Sequence, residues 1–215
     1  MITAASNSRI KRLVQLNQKS KLRRTEDVFL AEGVKMFLEA PREQLQEVYV
    51  SESFLEKCSC REHLEEVGYE VVSDSVFSKI SDTCTPQGVL CVLKQFHYNI
   101  EEMLRDKAPL FLLLENIQDP GNLGTMLRTG EGAGVSGIIM SRDTVDLYNP
   151  KVIRSTMGSI YRVPFYYADD FAAAVHQVQQ AGVSVYAAHL RGKNSYACQD
   201  YTKGTAFLIG NEGNG

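Results

Sequence analysis

The sequence lacks any apolar run near the ~20 residues needed to cross a bilayer. The longest, Pro109 to Leu114, has the length of a buried strand. Met1 to Leu22 is polar and basic, without the apolar core of a secretory signal. Together these absences predict a cytoplasmic protein. Cysteine is sparse and odd in number (Cys58, Cys60, Cys84, Cys91, Cys198), which in a chain without an export signal reads as free thiols. Cys58, Cys60 and His63 make a C-x-C-x-x-H cluster, but no second ligand pair follows at zinc-site spacing, so no metal is expected. Internal repeats and low-complexity tracts are also missing. What remains, with 44% apolar and 23% charged residues over 215 positions, is an ordinary globular chain of one large or two smaller domains.

Acidic residues are absent from Met1 to Arg24, where seven basic ones stand: Arg9, Lys11, Arg12, Lys19, Lys21, Arg23 and Arg24. The rest of the chain sets 26 acids against 16 basic groups. A basic arm on an acidic body suggests an anionic partner, nucleic acid above all, although a solvated basic helix gives the same pattern.

Along the chain, Ser6 to Gln18 has the spacing of a weak amphipathic helix with Ser6 or Asn7 as cap. Strand-like segments at 28–31, 47–50, 69–72 and 88–93 alternate with helical ones, which predicts a small α/β domain over residues 1–94. Residues 95–108 read as a linker with a helical patch near Glu101. In the 109–215 segment, strands are expected at 110–115, 137–140, 162–166, 183–187 and 206–209. Helices are expected at 123–133, 151–157 and 171–181. Apolar strands joined by helical crossovers imply a parallel sheet covered on both faces.

Ligands of open parallel sheets bind beyond the carboxyl ends of the strands. The loop after the first of these strands runs Asn116-Ile117-Gln118-Asp119-Pro120-Gly121-Asn122, and the last is followed by Gly210-Asn211-Glu212-Gly213-Asn214-Gly215. The first lacks the Gly-Lys-Ser/Thr of a phosphate loop. The glycines Gly130 and Gly132 fall at the wrong end of their helix to hold a dinucleotide pyrophosphate, which disfavours an oxidoreductase. Ser155 has no G-x-S-x-G elbow around it, so it is not read as an acyl nucleophile.

Asp119-Pro120-Gly121-Asn122-x-Gly124-x-x-x-Arg128-Thr129 resembles the first signature motif of the SpoU/TrmH family of RNA ribose 2′-O-methyltransferases, in the SPOUT superfamily. Arg154-Ser155-Thr156-Met157-Gly158-Ser159 is similar to the family's intermediate segment, and Leu208 to Gly213 to the start of its second motif. Upstream, Phe29-Leu30-Ala31-Glu32-Gly33 and Thr85-Pro86-Gln87-Gly88-Val89 resemble its substrate-binding domain, an RNA-binding α/β fold shared with some ribosomal proteins.

The resemblance implies S-adenosylmethionine as cofactor, structured RNA as partner (ribosomal in preference to transfer RNA) and a homodimer formed through the methyltransferase domain. It implies catalytic roles for Arg128, Asn122 and Glu212. It places the cofactor against Ala188, His189, Leu190, Gly210, Asn211 and Gly213. RNA contacts would fall to Arg9, Lys11, Arg12, Lys19, Lys21, Arg23, Arg24, Arg154 and Ser155. From the residues alone, Arg128 could equally be a surface arginine pairing with Glu131 or Asp143, and Asn122 a plain helix cap. Asn122 and Arg128 lie about 240° apart around a helix, so they do not share a face. The family's third motif, with its Ser-Leu-Asn-type segment, has no counterpart in these residues. The expectation is therefore a truncated methyltransferase domain, with its trefoil knot incomplete and its cofactor site open. A noncatalytic RNA-binding module on the same fold is the alternative.

Overall fold

A computed structural model describes residues 1–211. The chain forms two compact units. One comprises residues 1–96 with 146–161, the other 97–145 with residues from 162 onward. The segment 146–161, inside the second domain on the sequence reading, is thus a late contribution to the first unit.

In the first unit, α1 (Ser8–Gln18) starts where the Asn7 side chain accepts a hydrogen bond from Arg9 N at 2.9 Å. It buries Ile10, Leu13 and Leu16. After Lys19 the chain re-enters a helix, α2 (Ser20–Glu26), which ends at Asp27 in the left-handed region. There follow β1 (Val28–Glu32), α3 (Val34–Leu38), β2 (Leu45–Ser51), α4 (Glu52–Lys57), α5 (Arg61–Val67), β3 (Glu70–Val72), α6 (Asp74–Ile80) and β4 (Val89–Lys94). The sheet order is β1-β4-β2-β3, with β4 antiparallel to both neighbours and β3 parallel to β2.

Ile10, Leu13 and Leu16 pack in one core with Leu30, Tyr49, Val72, Phe77, Ile80 and Leu90. The expected basic arm is therefore not an arm. Its apolar stripe carries it onto the sheet, because burial of Leu and Ile side chains stabilises by about 1.5–3 kcal/mol each.

Residues 146–161 include α9 (Pro150–Thr156), which packs on β1. Tyr161 Oη donates to Met36 O at 3.0 Å, and Tyr148 Oη accepts from Phe96 N at 2.7 Å. The Tyr148 ring lies 4.9 Å from Phe29.

In the second unit, a short α7 (Ile100–Met103) lies inside the expected linker, with Ile100 and Met103 buried. Then come β5 (Leu110–Leu114), α8 (Pro120–Ala133), β6 (Gly137–Ser141), β7 (Phe165–Ala168), α10 (Phe171–Gln180), β8 (Ser184–Ala187) and β9 (Thr205–Ile209). All pairings are parallel, in the order β7-β6-β5-β9-β8. β7 begins three residues later than expected. Pro164 has no N–H to give a ladder, and only its carbonyl pairs, with Ile138 N at 2.9 Å. Phe111, Leu113, Ile139, Ala206, Ala174 and Val178 make the core against α10.

Candidate active site

The loop leaving β5 is tied to two neighbouring strand ends. Glu115 N donates to Ile209 O at 2.9 Å. Asn116 turns into the left-handed region (φ 55°), which asparagine tolerates better than most residues. Its N–H donates to Ser141 Oγ at 2.8 Å, and its carbonyl accepts from Asn211 Nδ2 at 2.9 Å. Gln118 Nε2 donates to Asn116 Oδ1 and to Asp143 O, both at 2.6 Å. The carboxyl ends of β5, β6 and β9 are thereby joined through one loop. Asn116, Gln118 and Ser141 were not singled out by sequence reasoning. The signal was available, since Asn and Ser just past strands are turn and loop-bracing residues.

That loop delivers α8. Asp119, not Asn122, is the cap: its carboxylate accepts from Asn122 N at 2.7 Å, and Pro120 takes the first turn. Leu123, Gly124, Leu127 and Gly130 are buried along one face of the helix. Arg128 is exposed, and among the described residues its guanidinium has no hydrogen-bond or ion-pair partner. The alternative pairing with Glu131 is not what forms, because Glu131 is engaged by Arg162.

The residues expected to hold the cofactor divide between two clefts. Ala188 and His189 follow β8, where Ala188 N donates to Leu208 O at 2.9 Å. They line a cleft of about 530 Å³ with Tyr186, Tyr201 and Phe207. The Tyr186 and Tyr201 rings are 5.1 Å apart, and Tyr201 and Phe207 5.5 Å. Its volume lies within the usual range for small-ligand sites, and its aromatic walls suit a purine ring, so these residues fit an adenosyl group. The segment between β8 and β9 is braced at Asp200, whose carbonyl accepts from Tyr186 Oη at 3.0 Å. Hydrogen bonds from the Thr202 hydroxyl and N–H hold the Asp200 carboxyl below its ordinary range. Leu190 is 99% exposed and lines neither cleft.

Asn211 instead lines a cleft of about 590 Å³ beyond β5, β6 and β7, with Asn116, Ser141 and four carboxylates: Glu115, Asp143, Asp169 and Asp170. Asp169 is paired with Arg142. Gly210 follows β9 directly and lines neither cleft. Glu212 and Gly213 lie outside the described residues.

The expected RNA contacts also divide. Arg9 pairs with Glu70 at 2.5 Å, and Arg12 with Glu26 and Glu47, both at 2.7 Å. Arg23 is only 3% exposed. It donates to the carbonyls of Leu16 (2.6 Å) and Asn17 (3.1 Å) and pairs with Asp146 at 2.6 Å, so it closes the end of α1 and is withdrawn from any ligand. Lys11, Lys19, Lys21 and Arg24 remain exposed. Arg154, on α9 in the first unit, pairs with Asp82 at 3.1 Å. The Ser155 hydroxyl donates back to Lys151 O at 2.8 Å, a bond within the helix. Among the described residues no cluster of metal ligands forms and no helix is long and apolar enough to cross a membrane.

Residues 109–215 match the family model of the SpoU rRNA methylases, and residues 7–91 that of an MRM3-like substrate-binding domain. The chain is 31% identical over 217 aligned residues to the 23S rRNA (guanosine(2553)-2′-O)-methyltransferase RlmP of Bacillus subtilis, covering all of this chain and 83% of that one. It is 41% identical over 88 residues to human mitochondrial rRNA methyltransferase 3, covering 39% of this chain and 21% of that one. Among solved structures, the AdoMet-bound rRNA methyltransferase from Sinorhizobium meliloti superposes with a TM-score of 0.82 at 28% identity, over all of this chain and 82% of its own. With its capped motif helix at the carboxyl end of a parallel sheet, and a substrate-binding unit before it, this chain belongs to the SpoU family of RNA methyltransferases.

Proposed function

We propose that this protein transfers a methyl group from S-adenosylmethionine to a ribose 2′-hydroxyl of ribosomal RNA. The observation that carries this reading is Arg128, which stands at the first-motif position with an unengaged guanidinium on a capped helix buried along its other face. S-adenosylmethionine supplies a methyl carbon on a sulfonium, whose sulfur leaves as a neutral thioether. The leaving group needs no acid, so the protein has to hold the 2′-oxygen in line and have its proton removed. A guanidinium does not give up its proton in proteins, so Arg128 is no base. It holds the target nucleotide through its 2′-oxygen and adjacent phosphate, and the phosphate oxygen takes the proton.

Asn122 and Glu212 shape the same site. Ala188 and His189 hold the cofactor from the β8 side, without Leu190, and Gly210, Asn211 and Gly213, which follow β9 in sequence, hold it from the neighbouring strand. Arg128 lies on a different face of α8 from Asn122, about 240° around the helix, and the site is completed at the boundary of a homodimer. Lys11, Lys19, Lys21 and Arg24 contact phosphates, which gives affinity without sequence information. Five unbridged cysteines support a reducing, cytoplasmic setting.

The test is incorporation of tritiated methyl into ribosomal and transfer RNA, with alkaline digestion to locate the label, since a 2′-O-methyl blocks cleavage at its own nucleotide. Arg128→Ala should lower incorporation into ribosomal RNA by roughly 10²–10³-fold, the scale for losing one preorganised polar group. Circular dichroism should be unchanged. Near-normal incorporation by this variant would remove Arg128 from catalysis.

A further inference from the structure

The first unit holds a cleft of about 380 Å³ between the start of α3, the end of β2 with α4, and the 81–88 loop. Its walls are apolar at Val34, Phe54 and Pro86 and polar at Ser51, Lys57 and Gln87. No carboxylate lines it, in contrast with the four at the β5–β7 ends of the second unit.

The cleft is built rather than incidental. Glu32, half-buried at the end of β1, accepts from Ser81 Oγ at 2.8 and 2.9 Å, from Thr83 Oγ1 at 3.2 Å and from Gln87 N at 3.3 Å. This one carboxylate fixes the loop. Gln87 Oε1 then accepts from Val34 N at 3.2 Å, which sets the amide plane, and among the described residues the amide nitrogen has no partner. Two glycines make the approach possible. A Cβ at Gly33 (φ +113°) would stand 2.8 Å from Gln87 Oε1, and one at Gly88 (φ +82°) only 2.4 Å from Phe54 Cβ.

The volume is near the lower end for ligand sites, too small for a helical groove and suited to one flat group. Apolar walls with an aromatic ring, an amide set in its plane with a free N–H₂, and an exposed ammonium together match a base with its phosphate. Single-stranded RNA is read in this way, with unstacked bases against aromatic side chains and their edges hydrogen-bonded. We propose that this cleft seats one unpaired nucleotide of the RNA substrate, with Gln87 on the base edge and Lys57 on its phosphate. The proposal rests on the RNA-methyltransferase reading and names the part of the RNA that the first unit grips.

The probes are a fluorescent RNA hairpin with a seven-nucleotide loop and the same stem as a blunt duplex, measured by anisotropy with the full chain. The wild type should prefer the hairpin. Gln87→Ala should weaken hairpin binding roughly three- to tenfold, as for the removal of one hydrogen bond, and leave the duplex unchanged. The hairpin should also slow alkylation of Cys58, which lines the cleft, by N-ethylmaleimide, but not that of exposed Cys198. Equal binding of the two RNAs by the wild type, an equal effect of Gln87→Ala on both, or unprotected Cys58 would each overturn the assignment. Methyl incorporation is read in parallel. A chain that methylates ribosomal RNA but shows no loop preference defeats the cleft alone, whereas one that neither binds nor methylates RNA defeats the reading beneath it as well.

Discussion

β6 and β8 belong to one sheet, yet β6 is buried at all five positions and β8 at none. The sequences account for it. Gly-Ile-Ile-Met-Ser presents apolar groups to both faces, as an inner parallel strand must. Ser-Val-Tyr-Ala alternates: Val185 faces the core with α10, while Tyr186 faces Tyr201 and Phe207 on the other side. Beyond β8 the chain exposes Leu190 and Tyr196 almost fully. The β6 half therefore carries the stability of this unit. The β8 half leaves aromatic and apolar groups open, beside the residues proposed above to hold the cofactor.

The contrast can be broken by substitution. Ile139→Ala, in the middle of β6 and fully buried, should cost about 2–5 kcal/mol in urea unfolding. Tyr186→Ala should cost less, about 1–2 kcal/mol, for two partly exposed ring contacts and one hydrogen bond to Asp200 O. It should nevertheless weaken S-adenosylmethionine binding measured by calorimetry, which Ile139→Ala should not do while the fold persists. Comparable stability losses at the two positions would erase the distinction.

The same division of buried from open separates the basic residues of α1 and α2. Replacing Lys19, Lys21 and Arg24 together with glutamine should leave the melting temperature unchanged. The log–log salt slope of RNA binding should flatten by roughly 0.7–0.9 for each phosphate that is no longer neutralised. An unchanged slope would return these three residues to a solvated surface.

How much of this was legible depends on the range of the interactions. The β5 loop and the existence of α8 were legible, but its start was not: Asp119-Pro120 is local punctuation, a cap and a first-turn proline, yet the helix was expected from Leu123 with Asn122 as cap. The parallel sheet was readable from its apolar runs. Arg23 was not separable from Arg24, because nothing local distinguishes a guanidinium that closes a helix end from one in water. What distinguishes them is Asp146, more than a hundred residues away. The mixed fate of Arg9 and Arg12 has the same cause, in Glu70 and Glu47. The late start of β7 was readable from Pro164 and was missed by following the apolar pattern alone.

The return of residues 146–161 to the first unit has a consequence for the order of synthesis. By residue 96 the ribosome has delivered every strand of the β1-β4-β2-β3 sheet, but not Asp146, Tyr148 or Tyr161, which answer Arg23, Phe96 and Met36. At about 5–20 residues per second, those partners emerge several seconds later. Through that interval the nascent first unit must persist with Arg23 held by the Leu16 and Asn17 carbonyls but lacking its carboxylate, and without α9 on β1. Its completion waits on translation of residues 97–145, the stretch of the second unit that carries the motif arginine, Arg128.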